Sequence, residues 1–142
     1  MQKIKFFFIG FGFLWIFIWS VIGSIIGVQL AATHQPETLF NASKEILVSA
    51  HAHMNVMGMT MILYALILNY MFLKMSKQWF MAISACMLFG PIFFGLGLLG
   101  EAFNFYFLFF KCISSFGAIL FLIAILCISG FFLSECNLKK LK

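Results

Sequence analysis

Apolar residues in this chain fall into four long, almost unbroken runs, at about 6–30, 46–73, 79–99 and 107–133. They lack the 3.6-residue period of a surface helix and the alternation of a half-buried strand. Each run reaches the roughly 20 residues that carry a helix across a hydrocarbon layer of about 30 Å. Backbone groups in lipid must be satisfied within their own segment, so each run predicts a helix. Polar residues gather between the runs, in a loop over 31–45, at Lys74 and Lys77, and around Glu101, Asn104 and Tyr106. The pattern predicts one all-α domain over residues 1–142, an integral membrane four-helix up-down bundle.

Details within the runs refine this picture. The first follows Lys3 and Lys5 and continues for about 25 residues, against roughly 7–15 for a cleavable signal, and no A-x-A site closes it. It is expected to be a first span. Gly23 and Gly27 form a G-x-x-x-G, a pattern that lets a second helix approach closely. Asn41 or Ser43 is placed to cap the second helix. Gly90-Pro91 is expected to kink the third, because proline removes a backbone hydrogen bond and clashes one turn back.

Composition strengthens the membrane reading: 64% of the residues are hydrophobic and only 9% charged, where soluble domains carry about 25% charge. The net charge of +5 comes entirely from lysine, since the chain contains no Arg. Lys3, Lys5, Lys74, Lys77, Lys139, Lys140 and Lys142 fall on one side of the predicted bundle, and only Lys44 and Lys111 on the other. The positive-inside rule makes the lysine-rich side cytoplasmic, with both termini there and the loops holding His34 and Glu101 outside. The charge is therefore read as topology in a lipid bilayer, expected to be a bacterial inner membrane, rather than as nucleic-acid binding. Cys86, Cys112, Cys127 and Cys136 contain no C-x-x-C pair, so they read as small hydrophobes.

The exception to this apolar scaffold is Ser49-Ala50-His51-Ala52-His53-Met54-Asn55-Val56-Met57-Gly58. Two histidines stand there roughly 7–11 Å inside the outer end of the second span, at about 1.5 Å per residue. Polar side chains at membrane depth need a partner or a function. A helix turns about 100° per residue, so His51 and His53 point about 200° apart and cannot share one metal. His51, Asn55 and Gly58 lie on one face, where the glycine would leave room for a flat, bulky group. His53 and Met57, with Thr60 and Tyr64, lie on another. Three readings fit these residues. One imidazole could be an axial ligand to haem b held between helices. The pair could be a polar helix junction in a cofactor-free accessory subunit. The His51, His53, Met54, Met57, Met59, Met61 set could hold copper, since these ligand types select Cu(I). Trp15 and Trp19, inside the first span, could pack against a cofactor or simply fill the bundle.

The span ending Gly23-Ser24-Ile25-Ile26-Gly27-Val28-Gln29-Leu30-Ala31, then a polar loop, then His51-Ala52-His53-Met54-Asn55, resembles the first two helices of subunit I of haem–copper oxidases. The chain also resembles short oxidase-like membrane proteins with an H-x-H-x-N-x-x-G helix. The resemblance covers residues 6–73. It implies that His53, in His-x-Asn register, or His51, the first histidine of the short motif, ligates a low-spin haem. The remaining axial position would fall to His34, the other motif histidine of a neighbouring chain, Met54, Met57, the same residue paired across a symmetric homodimer, or nothing. Four spans with no histidine after His53 cannot supply a complete oxygen-reducing centre. The resemblance therefore implies electron transfer, sensing or oxidase assembly, alone or in a larger respiratory membrane complex. No H-E-x-x-H, phosphate loop, nucleophile elbow or acidic pair is present.

Overall fold

The computed structural model describes residues 2–32, 39–103 and 107–140, with side chains over 2–25, 45–103 and 108–136. Four helices make up the described residues: α1 (Gln2–Ala32), α2 (Leu39–Lys74), α3 (Lys77–Ala102) and α4 (Phe107–Lys140). All four are long and apolar enough to cross a membrane, and they form a four-helix bundle.

All four helices outrun their apolar segments, α2 and α4 furthest at a single end. α2 begins seven residues before the run at 46–73, so Asn41 and Ser43, expected as caps, lie inside it. α4 likewise continues through Ser134, Glu135 and Cys136 to Lys140. Hydropathy marks where the chain meets hydrocarbon, and neither extension holds a Gly or Pro to stop the helix there. α3 continues as helix through Pro91, which is buried. Between α2 and α3 the turn is tight, and the Ser76 hydroxyl accepts the backbone N–H of Trp79 to cap α3.

Consecutive helices pack on one another: α1 on α2, α2 on α3, and α3 on α4. Lipid tails are as apolar as leucine, so close packing at small residues, rather than hydrophobic burial, holds such helices together. Glycines mark the closest approaches. A Cβ on Gly12 would lie 2.8 Å from the Gly58 carbonyl, and one on Gly58 3.0 Å from the Gly12 carbonyl. Between α3 and α4, a Cβ on Gly97 would meet the Ser114 backbone nitrogen at 2.3 Å, and one on Gly117 the Phe94 nitrogen at 2.2 Å. At each point a methyl group would force two backbones apart.

The interior divides into two clusters. In one, Met61, Tyr64, Leu68 and Met71 of α2 meet Phe8, Phe80, Ile83, Met87 and Ala124. The Phe8 ring stands edge-on to Tyr64 at 5.1 Å, and the Tyr64 hydroxyl is 2.7 Å from that of Ser84. In the other, Trp19 of α1 packs with Ala50, Met54 and Met57 of α2. Phenylalanines, isoleucines and leucines such as Phe6, Phe17, Leu63, Leu108 and Leu126 face outward, as a lipid-facing surface requires.

Candidate functional site

Both motif histidines sit on α2, and their surroundings differ completely. His51 is wedged against α1. Its Nδ1 lies 2.7 Å from the Trp19 carbonyl oxygen. A carbonyl only accepts, so Nδ1 carries the hydrogen and Nε2 the lone pair. That lone pair faces the Asn55 amide nitrogen, which donates to it at 3.2 Å. Both ring nitrogens are therefore engaged. The ring fills the space over Gly23: a Cβ there would come within 2.4 Å of Nδ1. Gly23 of the G-x-x-x-G thus seats an imidazole rather than a second backbone, while Gly27 lies outside the residues whose side-chain surroundings are described.

Asn55 stays on the His51 face, as its spacing suggests, and its Oδ1 is buried without a partner among the described residues. Gly58 lies at the α1 contact, where a Cβ would meet Ile16 at 2.6 Å. The room expected there for a flat group is filled by α1. Trp15 and Trp19 pack around Gly95 and Met54. The Trp15 Nε1 atom is also buried and unpartnered among the described residues.

His53 turns the other way and is exposed on the bundle. Its Nδ1 donates to the Ser49 carbonyl one turn back at 2.8 Å, with the Ser49 hydroxyl at 3.4 Å. This fixes the tautomer and leaves the Nε2 lone pair unused among the described residues. The ring meets Phe94 edge-on, centroids 6.1 Å apart. It lines a groove of about 680 Å³ between α2 and α4, floored by α3. Ala52, His53, Val56 and Met57 form the α2 wall; Ala118, Phe121, Leu122 and Ile125 form the α4 wall. The volume lies in the range of about 300–1,000 Å³ typical of small-molecule and cofactor sites. Several lining residues are exposed, so the groove opens sideways from the bundle.

The remaining candidates separate. Met57 lines the groove one turn from His53. Met54 and Met61 are fully buried in packing, and Met59 is exposed elsewhere on α2. The expected copper set is therefore dispersed around the helix, and no group of three His, Cys, Asp or Glu side chains gathers among the described residues. His34 lies outside the described residues. Glu101 accepts a hydrogen bond from Ser114, tying the ends of α3 and α4 together. All four cysteines are free thiols.

Sequence reasoning did not find the α4 wall. Its one signal is Gly117-Ala118, a pair of small residues amid Phe, Ile and Leu. Nor could it find the Trp19 carbonyl, because a backbone acceptor leaves no trace in residue identity. No family model, curated protein or solved structure matches this chain.

Proposed function

We propose that the chain is a haem-binding integral membrane protein in which His53 holds the cofactor in the groove between α2 and α4. One observation carries this reading. His53 has its Nδ1–H anchored on a backbone carbonyl, its Nε2 lone pair unused among the described residues, and an apolar groove of cofactor size beside it. An imidazole whose second nitrogen is tied to a carbonyl is the arrangement that orients metal-bound histidine. Leaving Nε2 unpartnered in hydrocarbon is unfavourable, and coordination would offset that cost. His51, engaged at both nitrogens, fits the role of a helix junction instead.

Bound there, haem would supply one-electron and diatomic-ligand chemistry. The chain's own contribution is the Nε2 lone pair, the orientation set through Ser49, and carbon-lined walls that keep water away. The contacts between successive helices support an up-down arrangement, since residue numbers rise in one helix as they fall in its neighbour: Phe8 meets Tyr64 and Gly12 meets Gly58. With the lysine-rich ends cytoplasmic, as in a bacterial inner membrane, His53 would lie toward the outer leaflet. Electron transfer, sensing or a place in a larger respiratory complex all suit such a site. A cofactor-free accessory subunit is the second reading, favoured by the complete internal satisfaction of the His51 ring. Copper at His53 and Met57 is the third.

These readings separate in an absorption spectrum of detergent-purified protein from cells supplied with haem and copper. The leading reading expects a Soret band at about one haem per chain. Copper by metal analysis without a Soret band supports the third reading, and neither signal supports the second.

A further inference from the structure

We propose that the molecule rocks as two stiff helix pairs, α1 with α2 and α3 with α4, and that the Tyr70–Glu135 hydrogen bond is the latch that sets how wide the groove between them opens. The inference concerns the groove's walls and holds whatever the groove takes up. Within each pair, glycines bring one helix against the backbone of the next. A Cβ on Gly58 would stand 3.0 Å from the Gly12 carbonyl, and one on Gly90 2.9 Å from the Phe121 nitrogen. Elements packed that closely yield little and move as units. Between the pairs the contact is of another kind. α2 packs on α3 less extensively than α1 on α2 or α3 on α4. A Cβ on Gly95 of α3 would meet the ends of side chains, Trp19 at 2.9 Å and the Met54 sulfur at 3.1 Å. Met57, Met61, Met71 and Met87 also lie in the core at this seam, and methionine, unbranched and flexible, re-packs readily.

Firm links between the pairs gather at one end. Met75 and Ser76 join α2 to α3 there, and the Phe72 ring stands edge-on to Phe80 at 5.3 Å. Tyr70 reaches across to α4: its hydroxyl donates to Glu135 Oε2 at 2.8 Å, and its ring stacks on Phe132 at 5.8 Å. The groove lies farther along the same two helices, with Ala52 and Ala118 at its far lip. At about 1.5 Å per residue that lip stands roughly 26 Å from the latch, so a rotation of about 5° there moves it by about 2 Å. A hinge at one end, with one wall of the groove carried by each pair, is the layout of hinge closure around a ligand. Tyr70 is 38% exposed, so water or a competing polar group can take its place on Glu135. Engaged, the bond holds α2 and α4 together at this end; released, it lets the pairs swing and the lip open toward the hydrocarbon layer.

The test is pulsed dipolar EPR on the full chain in lipid nanodiscs, with the native cysteines replaced by alanine. Spin labels go on Val21→Cys, Met59→Cys, Leu96→Cys and Ile119→Cys, all at exposed positions. Val21 with Ile119 spans the two helix pairs, whereas Val21 with Met59 and Leu96 with Ile119 each lie within one. Tyr70→Phe keeps the stacked ring and removes only the hydroxyl. Glu135→Ala removes the acceptor, and Glu135→Gln keeps a carbonyl oxygen that still accepts. Tyr70→Phe and Glu135→Ala should each lengthen and broaden the Val21–Ile119 distances by about 2 Å or more, while the distances within each pair stay as in the parent. Glu135→Gln should keep the parent distribution throughout. Val21–Ile119 distances unchanged by Tyr70→Phe would overturn the inference. Equal broadening within a helix pair would also overturn it, as would a Glu135→Gln distribution matching that of Glu135→Ala.

Discussion

Two histidines one residue apart do different work because a helix sends them to opposite sides. His51 stitches α2 to α1: its ring donates to the Trp19 carbonyl and sits on Gly23. Losing such a part-buried hydrogen bond costs about 1–3 kcal/mol when a partner is left unsatisfied. Gly23→Ala should act through the same contact, because its Cβ would collide with Nδ1. Replacing His51 by Ala removes the collision. In a double-mutant cycle monitored by thermal unfolding in detergent, Gly23→Ala and His51→Ala should therefore be non-additive by about 1–3 kcal/mol, the double variant being more stable than the sum predicts. Additivity within about 0.5 kcal/mol would mean that the ring does not occupy the Gly23 seat. The histidine motif itself was legible in the sequence as polar residues at membrane depth, and so was the i, i+4 pairing of His51 with Asn55. Which histidine is engaged was not, because the deciding partner is a main-chain oxygen 32 residues earlier.

At the scale of elements, the four apolar runs disclosed the four helices, because a lipid-crossing segment permits few alternatives. Their ends were less legible, since residues 39–45 and 134–140 carry polar side chains yet nothing that breaks a helix. Helix pairing was hidden more deeply. Gly90, Gly97 and Gly100 are conspicuous in α3, but their partners Phe121, Ser114 and Phe110 on α4 carry no distinguishing mark. Close approach at these glycines makes a direct prediction. Gly97→Ala and Gly117→Ala, each driving a Cβ into a facing backbone, should destabilise the fold by about 1–3 kcal/mol. Gly10→Ala and Gly130→Ala meet nothing within 4 Å. They should be neutral or stabilising by up to about 1 kcal/mol through helix propensity. Unfolding curves in one detergent check all four, and a common sign would contradict close glycine packing as what joins α3 to α4.

For the whole molecule, polar groups have been sorted by the packing of the helices. On one side of α2, the side toward α1, His51 and Asn55 lie half-buried and hydrogen-bonded. On the other, the side toward α4, one histidine whose second nitrogen has no partner among the described residues stands at the mouth of an apolar groove. The groove opens between α2 and α4 beside α3, which packs on both. That is a property of the assembled bundle, and no local stretch of sequence encodes it. The division of labour predicts that the two histidines respond oppositely to removal. In haem-reconstituted protein, the ratio of Soret absorbance to protein should collapse in His53→Ala and persist in His51→Ala, with far-UV circular dichroism verifying that both variants keep their helices. A folded His53→Ala variant with a full Soret band, or loss of the band in His51→Ala alone, would contradict the assignment.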